Sequence, residues 1–122
     1  MMLLLTLRGT PFLYYGDELG LIDIAIPKDE LRDSFGPGSG GRDPERCPMP
    51  WDETPKAGFT TGEPWLRIGA DGPGRSVEAQ RKEKSSMLAL TRALIGLRRK
   101  EPASQPQILE VDYRLPNRGF QD

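Results

Sequence analysis

Four consecutive bulky apolar residues, Phe12-Leu13-Tyr14-Tyr15, stand between two breaks, and they restrict most sharply what this chain can become. Before them, the apolar run Met1 to Leu7 stops at Gly9 and Pro11: glycine takes the positive φ that ends a helix, and proline prevents its continuation. After them come Gly16, Asp17 and Glu18, an acidic turn. The four residues do not alternate with polar ones, which suits a short strand covered on both faces, as in a parallel sheet with helices outside. Asp17 and Glu18 then fall beyond the carboxyl end of the strand, where α/β proteins keep their chemistry. A parallel strand must hydrogen-bond neighbours on both sides, and none is encoded beside this one. The expected fold class is therefore α/β, and one unit of it only.

The rest of the chain fits that unit. Leu21 to Ile26 is an apolar piece ended by Pro27, either a short strand or an extended cover over the acidic turn. Asp29 to Asp33 has the composition of one helical turn, and Gly36 to Gly41 reads as loop. From Arg42 to about Gly74 neither helical nor strand periodicity persists, and an unstructured connection of that length inside a domain is uncommon unless it is functional or disordered. Trp51, Phe59 and Trp65 favour function, since disordered linkers are poor in aromatics. Val77 to Lys82 is expected to form a short helix, with Ser85 or Ser86 capping a second. Met87, Leu90, Leu94 and Leu97 recur at helical spacing, widened by Leu88 and Ile95, and predict an amphipathic helix with this stripe inward. Arg98, Arg99 and Lys100 complement its C-terminal dipole, and Glu101-Pro102 ends it. Ile108 to Tyr113 alternates weakly, as one further strand would.

Composition narrows the chemistry. The 14 glycines and 12 prolines, about a fifth of the 122 residues, indicate much irregular backbone and a weak core. A net charge of −1 from 17 basic and 18 acidic residues gives no footprint for nucleic acid or an anionic membrane. The single Cys47 excludes an internal disulfide, and the absence of histidine removes any Ser-His or Cys-His pair and any zinc constellation. Met1 to Leu7 is too short for a signal h-region or a membrane span, so the expected setting is cytoplasmic, without cofactor or metal. Adjacent carboxylates such as Asp17-Glu18, Asp43 with Glu45, and Asp52-Glu53 invite an acid/base reading, but acids at turns commonly cap backbone N–H groups or pair with arginine. None of them is assigned a catalytic role. Tyr14 and Tyr15 are expected to point to opposite faces of the strand, Phe59 to be buried, and Trp51 and Trp65 to anchor the long loop, with Trp51 also placed to wall a pocket. Cys47, directly after the arginine block, is expected to be a small filler, although cationic neighbours would stabilise its thiolate.

Leu5-Thr6-Leu7-Arg8-Gly9-Thr10-Pro11-Phe12-Leu13-Tyr14-Tyr15-Gly16-Asp17-Glu18-Leu19-Gly20 resembles the segment around the last barrel strand of the α-amylase family of glycoside hydrolases, in its α-glucosidase and oligo-1,6-glucosidase branch. The likeness continues through Gly41 to Asp52 and through Ala57 to Leu66, to about Pro102. It implies the end of the seventh outer helix, the eighth strand, the eighth β-to-α loop and the eighth helix of a (β/α)8 barrel. Residues 1–102 would then be the C-terminal part of the catalytic domain, and 103–122 the start of a C-terminal β domain or a divergent tail. The family's catalytic carboxylates lie on motifs after earlier strands, and those motifs are absent here. By the resemblance, Arg42 and Arg46 line the sugar pocket, where a guanidinium fork can hold an acidic group and donate to hydroxyls together. Cys47 stands where threonine is expected.

The implied function is that of a fragment of a retaining α-glucosidase acting on small α-glucosides, inactive alone and dependent on the N-terminal barrel. Two alternatives stay open: a non-catalytic module of the same fold that binds carbohydrate or supports a partner, and a fragment of a trehalose-forming isomerase.

Overall fold

Helix α1, Met2–Thr6, is five residues long, far too short to persist by propensity alone. Tertiary contacts supply what it lacks. Leu5 is buried, and the carbonyls of Leu5 and Leu7 accept hydrogen bonds from Arg98 Nη1 at 3.0 and 2.7 Å, with Gly9 O accepting from Nη2. Arg98 therefore caps α1, a role its sequence position at the end of another helix does not announce. The computed structural model describes residues 1–33, 41–69 and 74–101; the expected strand at Ile108 to Tyr113 and the whole of 103–122 lie outside them.

Helix α2 spans Val77–Lys82 and α3 spans Met87–Lys100. Each begins on a serine whose hydroxyl accepts from the N–H three residues on: Ser76 from Ala79 at 3.1 Å and Ser86 from Ala89 at 3.2 Å. The N–H groups of Val77 and Glu78 donate at 2.9 Å to the carbonyls of Pro50 and Trp51, which ties the long loop to the start of α2. Helix α3 packs on α1, on α2 and on a 3₁₀ turn at Asp17–Leu19. Gln80 sits at that junction. Its amide donates to Leu19 O at 2.8 Å and accepts from Leu88 N at 3.0 Å, satisfying one of the orphan donors of the first turn of α3.

The small core is Leu5, Leu19, Ala57, Leu66, Val77 and Leu94, with Thr91 buried beside it. This corrects the expected stripe. Leu94 faces inward, but Met87, Leu90 and Leu97 are exposed, and the buried face of α3 runs through Thr91 and Leu94 with Leu88, Ile95 and Arg98 half-buried. The reason is the extent of the cover: what packs on α3 is the five-residue α1, the six-residue α2 and the 3₁₀ turn at Asp17–Leu19, all short elements. The expected strand also fails to form. Among the described residues there is no β-strand, and Phe12 is 84% exposed. An extended segment without neighbours has no ladder to join. Asp29 to Asp33 makes no helix, only a turn closed by Glu30 N to Pro27 O at 2.9 Å.

Candidate sugar-pocket loop

The acidic turn is built on Gly16, whose φ of +91° is open to glycine and strained for other residues. Its N–H donates to Glu18 Oε2 at 3.0 Å, and Tyr14 N donates to Asp17 Oδ2 at 2.9 Å. Both carboxylates thus close their own turn, the capping role that acids at such positions commonly play. Asp52 does the same in the long loop. Its Oδ1 accepts from Thr54 Oγ1 at 2.6 Å and Thr54 N at 2.9 Å, and these bonds, the hydroxyl's first, hold its pKa below the ordinary value. Glu53 Oε1 accepts from Gly74 N at 3.2 Å.

The arginine block folds as a 3₁₀ turn at Asp43–Arg46, with Arg42 at its entry and Pro44 in its first turn. The ion pairs of both arginines reach outside their own block. Both turn to Asp33: Arg42 Nε lies 2.7 Å and Arg46 Nη1 3.4 Å from Asp33 Oδ2. The hydrogen bond to Asp33, and then its charge, raise the Arg42 pKa above the ordinary guanidinium value. Asp43 is fully buried, and its Oδ2 accepts from the backbone N–H of Arg32 at 2.5 Å and of Asp33 at 2.8 Å. Gly41, at φ +67°, lets the two segments meet, since a Cβ there would lie 2.6 Å from Asp33 O. Sequence reasoning missed Asp33. It lies nine residues before Arg42, outside any helical or strand spacing, so no periodic signal marks it.

Two clefts flank this turn. One, of about 350 Å³, is lined by Tyr14, Tyr15, Asp17, Ile22, Glu45 and Cys47 among others. Leu21 to Ile24 run along it, so this apolar piece serves as an extended cover beside the acidic turn. The other, of about 530 Å³, is lined by Tyr15, Arg46, Met49, Trp51, Phe59 and Trp65 with Cys47 and Pro48. The turn therefore presents Glu45 to one cleft and Arg46 to the other. Tyr14 and Tyr15 do not point apart: their rings are in contact, 4.7 Å between centroids, and both line the first cleft. Tyr15 already belongs to the turn, where strand alternation has ended. Its hydroxyl donates to Cys47 O at 3.1 Å, and partial burial, the largest cause, raises its pKa. Phe59, expected to be buried, is 41% exposed on the second cleft, and Trp51 and Trp65 are exposed there too. The Cys47 thiol donates to Pro44 O at 3.4 Å and closes the 3₁₀ turn, in keeping with a small filler. Among the described residues no group of three His, Cys, Asp or Glu is placed to hold a metal, and no helix is long and apolar enough to cross a membrane.

Comparison with known proteins shows the family. Residues 1–106 match the alpha-amylase family model, described as "Alpha amylase, catalytic domain". A Rhizobium meliloti (strain 1021) protein described as a probable alpha-glucosidase is 36% identical over 97% of this chain and 22% of its own length. The probable oligo-1,6-glucosidase 3 of Bacillus subtilis (strain 168) is 33% identical over 75% of this chain and 20% of its own length. The trehalose synthase/amylase TreS of Mycobacterium tuberculosis is 38% identical over 83% of this chain and 16% of its own length. A crystal structure of a MutB mutant in complex with glucose superposes with a TM-score of 0.72 at 28% identity, covering 86% of this chain and 23% of that one. The chain spans less than a quarter of the length of each of these relatives. It belongs to the α-amylase family of glycoside hydrolases, matches that family's catalytic domain, and resembles its α-glucosidase and oligo-1,6-glucosidase branch.

Proposed function

We propose that this chain is the last β/α unit of the (β/α)8 catalytic barrel of a cytoplasmic, retaining α-glucosidase that acts on small α-glucosides. In this reading α1 is the tail of the seventh outer helix, Phe12 to Tyr15 the segment that pairs as the eighth strand once neighbouring strands are present, the residues from Gly16 onward the eighth loop, and α3 the eighth helix. Residues 103–122 lead into the β domain that follows. The chain contributes Arg42 and Arg46 to the sugar pocket and no catalytic carboxylate. The nucleophile and the proton donor, about 5 Å apart in retaining enzymes, come from the rest of the barrel. What carries the reading is one observation: Asp17 and Glu18 are committed to their own backbone turn, while the arginine block forms a 3₁₀ turn between two clefts, with Arg46 lining one and Arg42 at the entry of the turn, outside both linings. A fixed guanidinium suits a neutral sugar, since it donates along defined directions to hydroxyl oxygens.

The test is reconstitution. The chain is produced alone and together with the remainder of the Rhizobium meliloti relative, and glucose release from maltose and isomaltose is followed. Release by the pair and none by the chain alone is expected. An inactive pair, or activity of the chain alone that Asp17→Asn or Glu18→Gln abolishes, overturns the proposal. The likeness to the trehalose synthase favours a second reading within the same family, isomerisation of maltose, and trehalose among the products would select it.

A further inference from the structure

We infer that Asp33 is the positioning residue of the arginine pair, holding both guanidinium groups in place before a sugar arrives; the inference rests on the reading of Arg42 and Arg46 as pocket residues. One oxygen, Asp33 Oδ2, takes Arg42 Nε at 2.7 Å and Arg46 Nη1 at 3.4 Å. The Asp33 side chain is only 11% exposed, whereas Arg42 and Arg46 are 53% and 33% exposed, so the carboxylate is the fixed member and the arginines are held to it. Its own fixity comes from the backbone. The N–H groups of Arg32 and Asp33 donate to the fully buried Asp43 carboxylate, and Gly41 permits the close approach of the two segments. The tie is reciprocal: the Asp43 side chain holds the backbone at 32–33, and the Asp33 side chain holds the arginines at 42 and 46.

The placement has a consequence for recognition. Arg42 precedes the 3₁₀ turn and Arg46 ends it, so Asp33 spans both ends of the turn that divides the clefts. A bond to Nε is made at the edge of the planar guanidinium and sets its orientation, which a point charge would not do. Two long side chains ordered in advance lose less freedom when substrate binds. Asparagine at position 33 keeps an acceptor but removes the charge between two cations, and both arginines lose the electrostatic reason to converge.

Reconstituted enzyme carrying Asp33→Asn should show KM for maltose raised roughly tenfold, about the worth of one charge-assisted hydrogen bond, and raised by more than kcat falls. Asp33→Glu should recover part of that rise. In an Arg42→Lys, Arg46→Lys background, Asp33→Asn should add little, because what it positions is gone. A KM within twofold of the parent, or full additivity with the arginine changes, overturns the assignment. Absence of turnover in the unmodified pair sinks the functional reading instead, and a measurement without turnover then decides on Asp33. Hydrogen exchange at Arg42 Nε–H, read by nuclear magnetic resonance on the full chain, should be slow and should quicken at least tenfold in Asp33→Asn, roughly the loss of one charge-assisted bond. Equal exchange rates in the two chains overturn the assignment.

Discussion

Arg98→Ala should uncap α1. Arg98 donates from Nη1 to the carbonyls of Leu5 and Leu7 and from Nη2 to that of Gly9, so one side chain serves one acceptor in the last turn of a five-residue helix and two just beyond it. A hydrogen bond to a charged group contributes about 1.5–3 kcal/mol when the alternative is an unsatisfied partner. Two of the three bonds are exposed, and there water replaces the guanidinium at little cost. Only the part-buried bond to Leu5 O retains its full weight. The expected loss is therefore about 2–3 kcal/mol, the upper half of the range for a single charged bond because the freed α1 also loosens buried Leu5.

The measurement is urea unfolding of the reconstituted barrel, with the midpoint shifted and the slope unchanged. Arg98→Lys should lose about half as much, since one ammonium cannot span three carbonyls. Arg99→Ala supplies the control: that residue is exposed, and its loss should stay within about 0.5 kcal/mol, as for surface changes generally. If Arg98→Ala and Arg99→Ala shift the midpoint equally, the cap contributes nothing and α1 is held by Leu5 alone.

Leu94→Ala should cost about 2–5 kcal/mol in the same assay, because Leu94 is the inward leucine of α3, and an unchanged midpoint removes it from the core. Arg42→Lys and Arg46→Lys should each lower kcat/KM for maltose, about tenfold, since lysine keeps the charge and loses the planar fork; parental kinetics in both would leave the loop a surface. Asp52 has a folded pKa below its ordinary 3.8, so the bonds to Thr54 help fix the turn above that pH and are lost as pH falls through the lowered value. A proton-resonance titration of Asp52 with its midpoint at or above 3.8 contradicts this.

Local chemistry was legible in the sequence wherever a residue acts on its own neighbours. Ser76 and Ser86 start α2 and α3, and Gly9 and Pro11 follow α1. The self-capped turn of Asp17 and Glu18 belongs to the same class, since both bonds stay within three residues. The bridges were not legible. Gln80 to Leu19, Arg98 to Leu5 and the Asp33 clamp join residues far apart in sequence or outside any regular spacing, and nothing local in glutamine, arginine or aspartate marks the partner. Arg98 shows the difficulty well: the helix-dipole argument gives it a sufficient local role, yet its bonds serve another helix.

Burial failed for a different reason. The pattern at Phe12 to Tyr15 and along Met87, Leu90 and Leu97 encodes faces meant to be covered, whereas exposure depends on what the chain itself can bring. A run of four bulky residues without alternation is the pattern of a strand covered on both faces, and the apolar flank of α3 at Met87, Leu90 and Leu97 is the pattern of a packed face; here both are exposed. The apolar surface is accordingly open: Phe12, Leu3 and Leu7 are 84%, 75% and 62% exposed, while α3 still packs on α1, α2 and the 3₁₀ turn at Asp17–Leu19. The loop that carries the arginines is fixed within the chain by Asp33, Asp43 and the Pro50 and Trp51 carbonyls, whereas the faces around it are unfinished. That contrast supports the proposed reading of this segment as a piece of a catalytic barrel, because a domain buries the apolar faces of its elements around one core.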